Sequence, residues 1–218
     1  MLKSFIGTVG LMVAGATLAH SAEVHALVRD HKGKLVADAV VLAVAVDPRG
    51  ALHARPPANA VDQVDKQFVP YVKPIFMGST VRFPNSDNIR HQVYSFSPAK
   101  KFELPLYSGT DAAPIVFDKP GVVVLGCNIH DWMIGYIYVS ETPFFAKTGP
   151  LGTAVISDMP AGEYRVRIWH PNMDHGEETT GQLVTLTADT PANAEWQIGL
   201  RPNIRVPRVT GAASPAYP

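Results

Sequence analysis

Cysteine is scarce in this sequence, and charge of either sign has no excess. The 218 residues include a single cysteine, Cys127, and 19 basic against 19 acidic residues. One cysteine excludes an internal disulfide framework, because a bridge needs two partners. A net charge of zero without a basic cluster argues against nucleic acid as a partner. The length suits one large β domain or two small ones, and the lone thiol needs an explanation.

The N-terminus has the features of a secretory signal peptide. Lys3 supplies a positive charge, the stretch from Phe5 to Leu18 is apolar or small, and small residues follow at Ser21 and Ala22. This order is typical of exported proteins, and the apolar stretch is short for a membrane span. We therefore expect residues 1–22 to be removed, which leaves a periplasmic protein without a membrane span. The alternative is an N-terminal anchor that is not cleaved.

Short apolar runs separated by turn residues fill the rest of the chain, and no amphipathic stretch is long and capped enough for a helix. Eight runs stand out: Val24 to Val28, Ala39 to Val46, Thr80 to Phe83, Val93 to Phe96, Gly121 to Leu125, Ile134 to Val139, Tyr164 to Trp169 and Gln182 to Thr187. This pattern predicts an all-β sandwich or barrel. Residues 51–60 are predicted to be a loop, and the Pro-rich residues 201–218 a disordered tail.

A thiol, an imidazole and a thioether lie within seven positions, at Cys127, His130 and Met133. An apolar run precedes Cys127 and another follows Met133, so these side chains are predicted to sit on a tight loop between two strands. Thiolate, imidazole and a weak thioether form the ligand set of a blue-copper site. A second imidazole is needed, and His91 is the best candidate because a β run resumes there. We predict one copper ion bound by His91, Cys127, His130 and Met133.

Two alternatives use the same side chains, and a further metal site is conceivable in another segment. Zinc suits a Cys and two His, although the Met argues against it. A cysteine nucleophile with His130 as base needs an orienting group and an oxyanion hole, and no local signature supplies them. His170, Met173 and His175 could form a second, softer copper site. A polar loop after a strand is the favoured interpretation of that segment.

Both predicted ligand segments resemble those of cupredoxins. The family's upstream pattern is matched by Gly78, Val81, Phe83, Asn85, His91, Gln92 and Val93. Its downstream pattern is matched by Pro120-Gly121, the strand from Val122 to Cys127, His130, Met133, Gly135, Ile137 and Val139. The C-x2-H-x2-M spacing is similar to that of amicyanin. The resemblance covers roughly residues 61–142.

This resemblance implies a Greek-key β-sandwich with one type 1 copper. It also implies that Met133 is the weak axial ligand and that the protein is an electron carrier, not an enzyme. Gln92 stands where many members have an Asn that ties the two ligand loops together, which puts that link in doubt here. The whole chain is similar to exported proteins labelled methylamine utilisation proteins.

Segments on either side of the copper region resemble a carboxypeptidase-regulatory-like (transthyretin-type) sandwich. Residues 24–41 match its opening. Its continuation reappears after the copper segment, at Thr148, Gly152, Ile156, Pro160, Gly162, Tyr164, Val166 and Trp169. We therefore predict a cupredoxin domain at 61–145, inserted in or packed on a small accessory sandwich formed by 23–60 and 146–200. The alternative is one larger sandwich with extra strands.

These observations favour a monomeric periplasmic protein that carries single electrons between redox partners. A periplasmic dehydrogenase or a c-type cytochrome would suit as partner. His130 is the expected electron exit, within an apolar docking patch of Ile129, Trp132 and Ile134. A copper carrier or storage protein without redox turnover is the alternative, and a β protein with a vestigial site is a third hypothesis. A multicopper enzyme is disfavoured because there is no second His-x-His pair.

Overall fold

Strands dominate the computed structural model, which describes residues 22–47, 58–108, 112–188 and 190–202. They are β1 Ala22–Asp30, β2 Val40–Ala45, β3 Asn59–Ala60, β4 Asp62–Val64, β5 Gln67–Val69, β6 Val72–Phe76, β7 Ser79–Arg82, β8 His91–Ser97, β9 Lys100–Tyr107, β10 Ile115–Phe117, β11 Gly121–Gly126, β12 Ile134–Ser140, β13 Phe145–Lys147, β14 Thr153–Met159, β15 Gly162–Trp169, β16 Gln182–Leu186 and β17 Ala192–Ile198. A 3-10 helix, η1, spans Glu177–Thr180. The prediction of an all-β fold is confirmed. Over these ranges no helix has the length and apolarity to cross a membrane.

One pair of sheets combines strands from both ends of the described chain. Their strand orders are β14-β1-β17 and β13-β2-β15-β16. Alternate residues of β1, including Val24, Ala26 and Val28, are buried, as expected for a strand with one face on a core. Apolar side chains from both sheets form a single core. Strands on either side of residues 59–140 therefore complete one sandwich, which we call the outer sandwich.

The strands between residues 59 and 140 form a second set of sheets. A five-stranded sheet has the order β6-β12-β11-β8-β9, a three-stranded sheet has the order β10-β7-β3, and β4 pairs with β5 in a hairpin. Phe68, Phe83, Phe117 and Ile137 are fully buried in the core between them. We call this unit the inner sandwich. All four predicted copper ligands lie on it.

A separate apolar cluster joins the two sandwiches. Val40 and Leu42 of β2 pack there with Val72 and Tyr138 of the inner sandwich. The ring of Trp169 adds to the junction, with its centroid 5.3 Å from that of Tyr138. Neighbouring residues of β2 point into the core of the outer sandwich. Strand β2 is buried on both faces, which explains why it reads as a continuous apolar run.

All eight runs predicted from the sequence overlap strands. Two details of the prediction need correction. Asn59–Ala60, predicted as loop, forms strand β3 beside β7. Arg201, placed in the disordered tail, donates from Nε and Nη2 to the carbonyl oxygen of Met173 at 3.1 and 2.7 Å. Ala22, at the predicted boundary of the signal peptide, is buried as the first residue of β1, and the cleavage itself stays a prediction. Residues 1–21, 48–57 and 203–218 lie outside the described residues, so the predictions made there stay predictions.

Candidate metal centre

A tight loop between β11 and β12 holds the Cys-x2-His-x2-Met motif. The backbone N–H of Met133 donates to the carbonyl oxygen of His130 at 2.8 Å, which turns the chain back toward β12. Gly126 ends β11 immediately before Cys127. A Cβ atom at Gly126 would lie 2.7 Å from the ring of Tyr94, so a larger residue there would require this ring to shift. The end of β11 and the start of β12 therefore fix the backbone position of Cys127.

His91 reaches the same place from β8. It is the first residue of that strand, and β8 pairs with β11 through Tyr94 and Gly126. The Nδ1 atoms of His91 and His130 each lie 3.8 Å from the Sγ atom of Cys127. The three donor atoms lie within 4.8 Å of one another. Side chains 36 residues apart in the chain thus converge on one point.

The spacing of these donors fits a single metal ion. Bonds of about 2.0–2.1 Å to nitrogen and about 2.3 Å to sulfur at trigonal to tetrahedral angles separate the two donors by about 3.6–3.8 Å. The observed separations from Cys127 are 3.8 Å. A thiolate with two imidazoles suits copper, and the buried thioether of Met133 in the same core cluster is the soft fourth donor typical of such sites. The residues present therefore fit copper.

Burial and hydrogen bonds oppose each other at the thiol and at the buried imidazole. Burial alone would raise the pKa of Cys127, but hydrogen bonds from His91 and from the backbone N–H groups of Gln92 and Ile129 outweigh it and lower that pKa. Burial alone would lower the pKa of His91, but its contacts with Cys127 and Asp87 outweigh burial and raise it. The lowered pKa of Cys127 favours the thiolate, which is the metal-binding form of cysteine. The raised pKa of His91 favours its protonated form, so a metal bound there would displace a proton from the imidazole.

Asp87, which the sequence analysis did not single out, contacts one of the predicted ligands. Its Oδ2 atom lies 2.7 Å from Nε2 of His91, on the side of the ring opposite Cys127. Ligating histidines usually donate their second ring N–H to a carboxylate or a carbonyl group. The position of an Asp four residues before the predicted ligand was the available signal.

Gln92 takes a different role from the one considered above. Its side chain donates to Glu103 on the neighbouring strand β9 at 2.6 Å. Its backbone N–H, in contrast, reaches the thiol of Cys127. The tie between the two ligand segments is therefore made by the main chain at this position.

The His170 loop is not gathered into such a cluster. His170 is buried, its Nδ1 accepts a hydrogen bond from the backbone N–H of Asn172 at 3.2 Å, and burial lowers its pKa to about 4. The His175 side chain is 73% exposed. In the described parts of the chain, the cluster of three His, Cys or carboxylate donors is His91, Cys127 and His130. This geometry gives no support to the alternative of a second copper site at His170, Met173 and His175, and agrees with the favoured interpretation of a polar loop.

Apolar residues surround the outer edge of the centre. Ile129 and Ile134 are 49% and 37% exposed. Trp132 is half-buried, and its ring centroid lies 5.2 Å from that of His130. His130 is itself half-buried, whereas His91 is fully buried. The His130 side is therefore the accessible side of the cluster.

No protein-family model and no curated protein matches the chain. Parts of it are similar to solved copper proteins. The copper-containing nitrite reductase NirK from Thermus scotoductus SA-01 is 33% identical over 45% of this chain, with a TM-score of 0.37, and only 25% of that enzyme is covered. A purple cupredoxin from Nitrosopumilus maritimus is 25% identical over 38% of this chain and 100% of its own, with a TM-score of 0.34. A reduced amicyanin variant is 19% identical over 45% of this chain and 99% of its own, with a TM-score of 0.35.

Proposed function

We propose that this protein is a cupredoxin-type electron carrier that holds one type 1 copper through His91, Cys127 and His130, with Met133 as the weak axial ligand. The observation that carries the proposal is the position of two imidazole Nδ1 atoms, each 3.8 Å from one buried thiol. Copper bound there would supply one-electron chemistry by cycling between Cu(II) and Cu(I). No substrate is transformed by such a centre.

The protein holds the donor atoms in fixed positions and shields His91 and Cys127 from solvent. Strands β8 and β11 anchor His91 and Cys127, which are 0% and 3% exposed. Because the frame is a hydrogen-bonded sheet, the donors need little movement when the charge of the centre changes. A thiol occupied by a metal is also protected from the oxidation that threatens a free cysteine outside the cytoplasm.

Electron exchange is proposed to occur at the half-buried edge of His130. The exposed side chains of Ile129 and Ile134 supply apolar contact for a transient partner. A periplasmic dehydrogenase or a c-type cytochrome would fit this role. The periplasmic location belongs to the proposal and is supported by the signal-peptide features of residues 1–22.

The decisive experiment is the visible spectrum of the exported protein during addition of Cu(II). One equivalent should produce an intense blue or green colour, since thiolate-to-copper charge transfer absorbs strongly. Cys127→Ser should abolish the colour, whereas His175→Ala, at an exposed imidazole outside the cluster, should leave it intact. Full copper occupancy without colour would overturn the type 1 assignment.

Copper carriage or storage is the second candidate, favoured by the half-buried position of His130, which places one proposed ligand residue at the protein surface. Voltammetry separates the two functions. A fast, reversible couple supports electron transfer, whereas copper hand-over to an apo-protein without such a couple supports carriage. Nitrite turnover by the purified copper protein would instead indicate an enzyme.

A further inference from the structure

The hairpin of β4 and β5 donates hydrogen bonds to the carboxylate of Asp87, which also contacts His91. Asp65 and Lys66 form its two-residue tip, with φ values of 52° and 58°. Their backbone N–H groups donate to Oδ1 and Oδ2 of Asp87 at 2.7 and 2.9 Å. The same Oδ2 atom lies 2.7 Å from Nε2 of His91. One carboxylate thus joins the hairpin tip to the imidazole.

Both tip residues occupy the left-handed region, which non-glycine residues rarely adopt. This conformation is that of a type I′ turn, and here it turns both N–H groups toward Asp87. Two main-chain donors hold the Asp87 carboxylate in a fixed position. Asp87 therefore presents an oriented carboxylate oxygen to Nε2 of His91.

The hairpin is fixed to both predicted ligand segments. On the His91 side, Asp62 accepts a hydrogen bond from the Ser86 hydroxyl at 2.8 Å. On the Cys127 side, the fully buried Phe68 packs against Gly135, where an added Cβ would lie 2.7 Å from the Cβ of Phe68. A displacement of the hairpin would move Asp87 and the strand that follows Met133 together.

We propose that the tip of the β4–β5 hairpin is a positioning device that, through Asp87, orients His91 and favours Cu(II) over Cu(I) at the centre. Asp87 is a positioning residue that acts through His91. An anion at the Nε2–H group makes Nδ1 a stronger donor, and the more highly charged ion gains more from it. This inference rests on the proposed copper function, but its structural half concerns the protein alone.

Amide hydrogen exchange of the copper-free protein tests the structural half. The N–H groups of Asp65 and Lys66 should be protected in the wild type and lose that protection in Asp87→Ala. Asp118→Asn is the matched control, because it removes a carboxylate charge at a side chain 71% exposed, away from the hairpin. Unprotected amides in the wild type would overturn the clamp whether or not copper binds.

Copper affinity tests the functional half. Asp87→Ala and Asp87→Asn should weaken Cu(II) binding 10- to 100-fold, the usual cost of losing such a partner. Cu(I) binding should change less, so the reduction potential should rise by about 59 mV for each tenfold selective loss. Asp118→Asn, the remote control used above, should leave the potential unchanged. A blue wild type with equal Cu(II) affinity in Asp87→Ala would overturn the inference alone, whereas a wild type that binds no copper would overturn the proposed function.

Discussion

The hydroxyl of Tyr138 donates to the carboxylate of Glu177, with its oxygen 2.8 and 3.0 Å from the two carboxylate oxygens, across the junction of the two sandwiches. Tyr138 lies on β12 of the inner sandwich, and Glu177 lies on η1 of the outer one. Burial raises the pKa of Glu177, although Tyr138 and Arg167 partly oppose this. The carboxyl group of Glu177 is therefore partly buried where the two sandwiches meet.

Glu177→Gln should stabilise the protein more at neutral pH than at acidic pH. Because the folded pKa of Glu177 is raised, the folded state binds more protons than the unfolded state above about pH 4.3, the ordinary glutamate value. The free energy of unfolding therefore falls as the pH rises from there through the folded pKa. A glutamine keeps an acceptor for Tyr138 but has no charge to desolvate. Urea unfolding of the copper-free protein between about pH 4 and 7 measures the difference.

Glu163→Gln is the control for that series, since Glu163 is an exposed acid on β15. Its unfolding free energy should run parallel to that of the wild type. If Glu177→Gln also runs parallel, the partly buried carboxylate does not influence the stability of the junction.

The predicted ligands were readable from the sequence because their chemistry is local. Cys127, His130 and Met133 lie within one loop, and the apolar runs on either side placed that loop between strands. Asp87 was missed because its partners at the hairpin tip are 21 and 22 residues away, and they use only backbone N–H groups, which leave no side-chain signal. The sequence offers only the spacing of Asp87 from His91 as a signal, and the contacts of Asp87 with the hairpin are visible only in the folded chain.

The missed strands have a different cause. Strand β9, which none of the predicted runs covers, lies at the edge of its sheet. Half of its side chains are therefore exposed, and charged residues such as Lys101 and Glu103 break the apolar pattern. Apolar periodicity detects strands that face a core, and an edge strand faces one only in part. The short strand β3 is held by pairing with β7 and carries little signal of its own.

Met133→Gln should retain copper and lower its reduction potential. The thioether is a soft donor that favours Cu(I), whereas an amide oxygen is harder and favours Cu(II). Each tenfold change in the ratio of the two affinities corresponds to about 59 mV. Voltammetry measures the shift, with Met77→Gln, at a methionine 38% exposed, as the control for the same chemical change. An unchanged potential in Met133→Gln would show that Met133 is not axial.

Gly135→Ala should destabilise the inner sandwich. The added methyl group would meet the Cβ of Phe68 at 2.7 Å, and overpacking of this kind typically costs about 1–3 kcal/mol. Gly149→Ala is the matched control, because nothing lies within 4 Å of a Cβ added there. Its unfolding free energy should stay within about 0.5 kcal/mol of the wild type. Equal unfolding free energies for both variants would show that the hairpin shifts to accommodate the added methyl group without a measurable loss of stability.

A fragment of residues 58–143 tests the proposed domain division. It contains all four predicted ligands and the core of the inner sandwich, so we expect it to bind copper with the wild-type spectrum. Removal of β2 exposes Val72 and Tyr138, which should lower its solubility and its unfolding free energy relative to the full chain. An unfolded fragment beside a stable full chain would favour the single larger sandwich.

Ile129→Ser should slow electron exchange with the natural partner without altering the copper spectrum. Ile129 is 49% exposed beside His130, so its loss removes docking area and leaves the core untouched. An apolar contact worth about 1.4 kcal/mol at a small interface corresponds to a tenfold slower reaction. Stopped-flow reduction by a periplasmic cytochrome or dehydrogenase measures the rate. Leu151→Ser, at a residue 68% exposed on the outer sandwich, is the matched control and should react at the wild-type rate. Equal rates for all three proteins would show that the docking surface lies away from His130.

Trp132→Ala distinguishes a docking role from a structural role at the same edge, because the half-buried ring of Trp132 lies against that of His130. A slower rate with an intact copper spectrum would assign Trp132 to docking. A lost copper spectrum would show that Trp132 supports the structure of the centre.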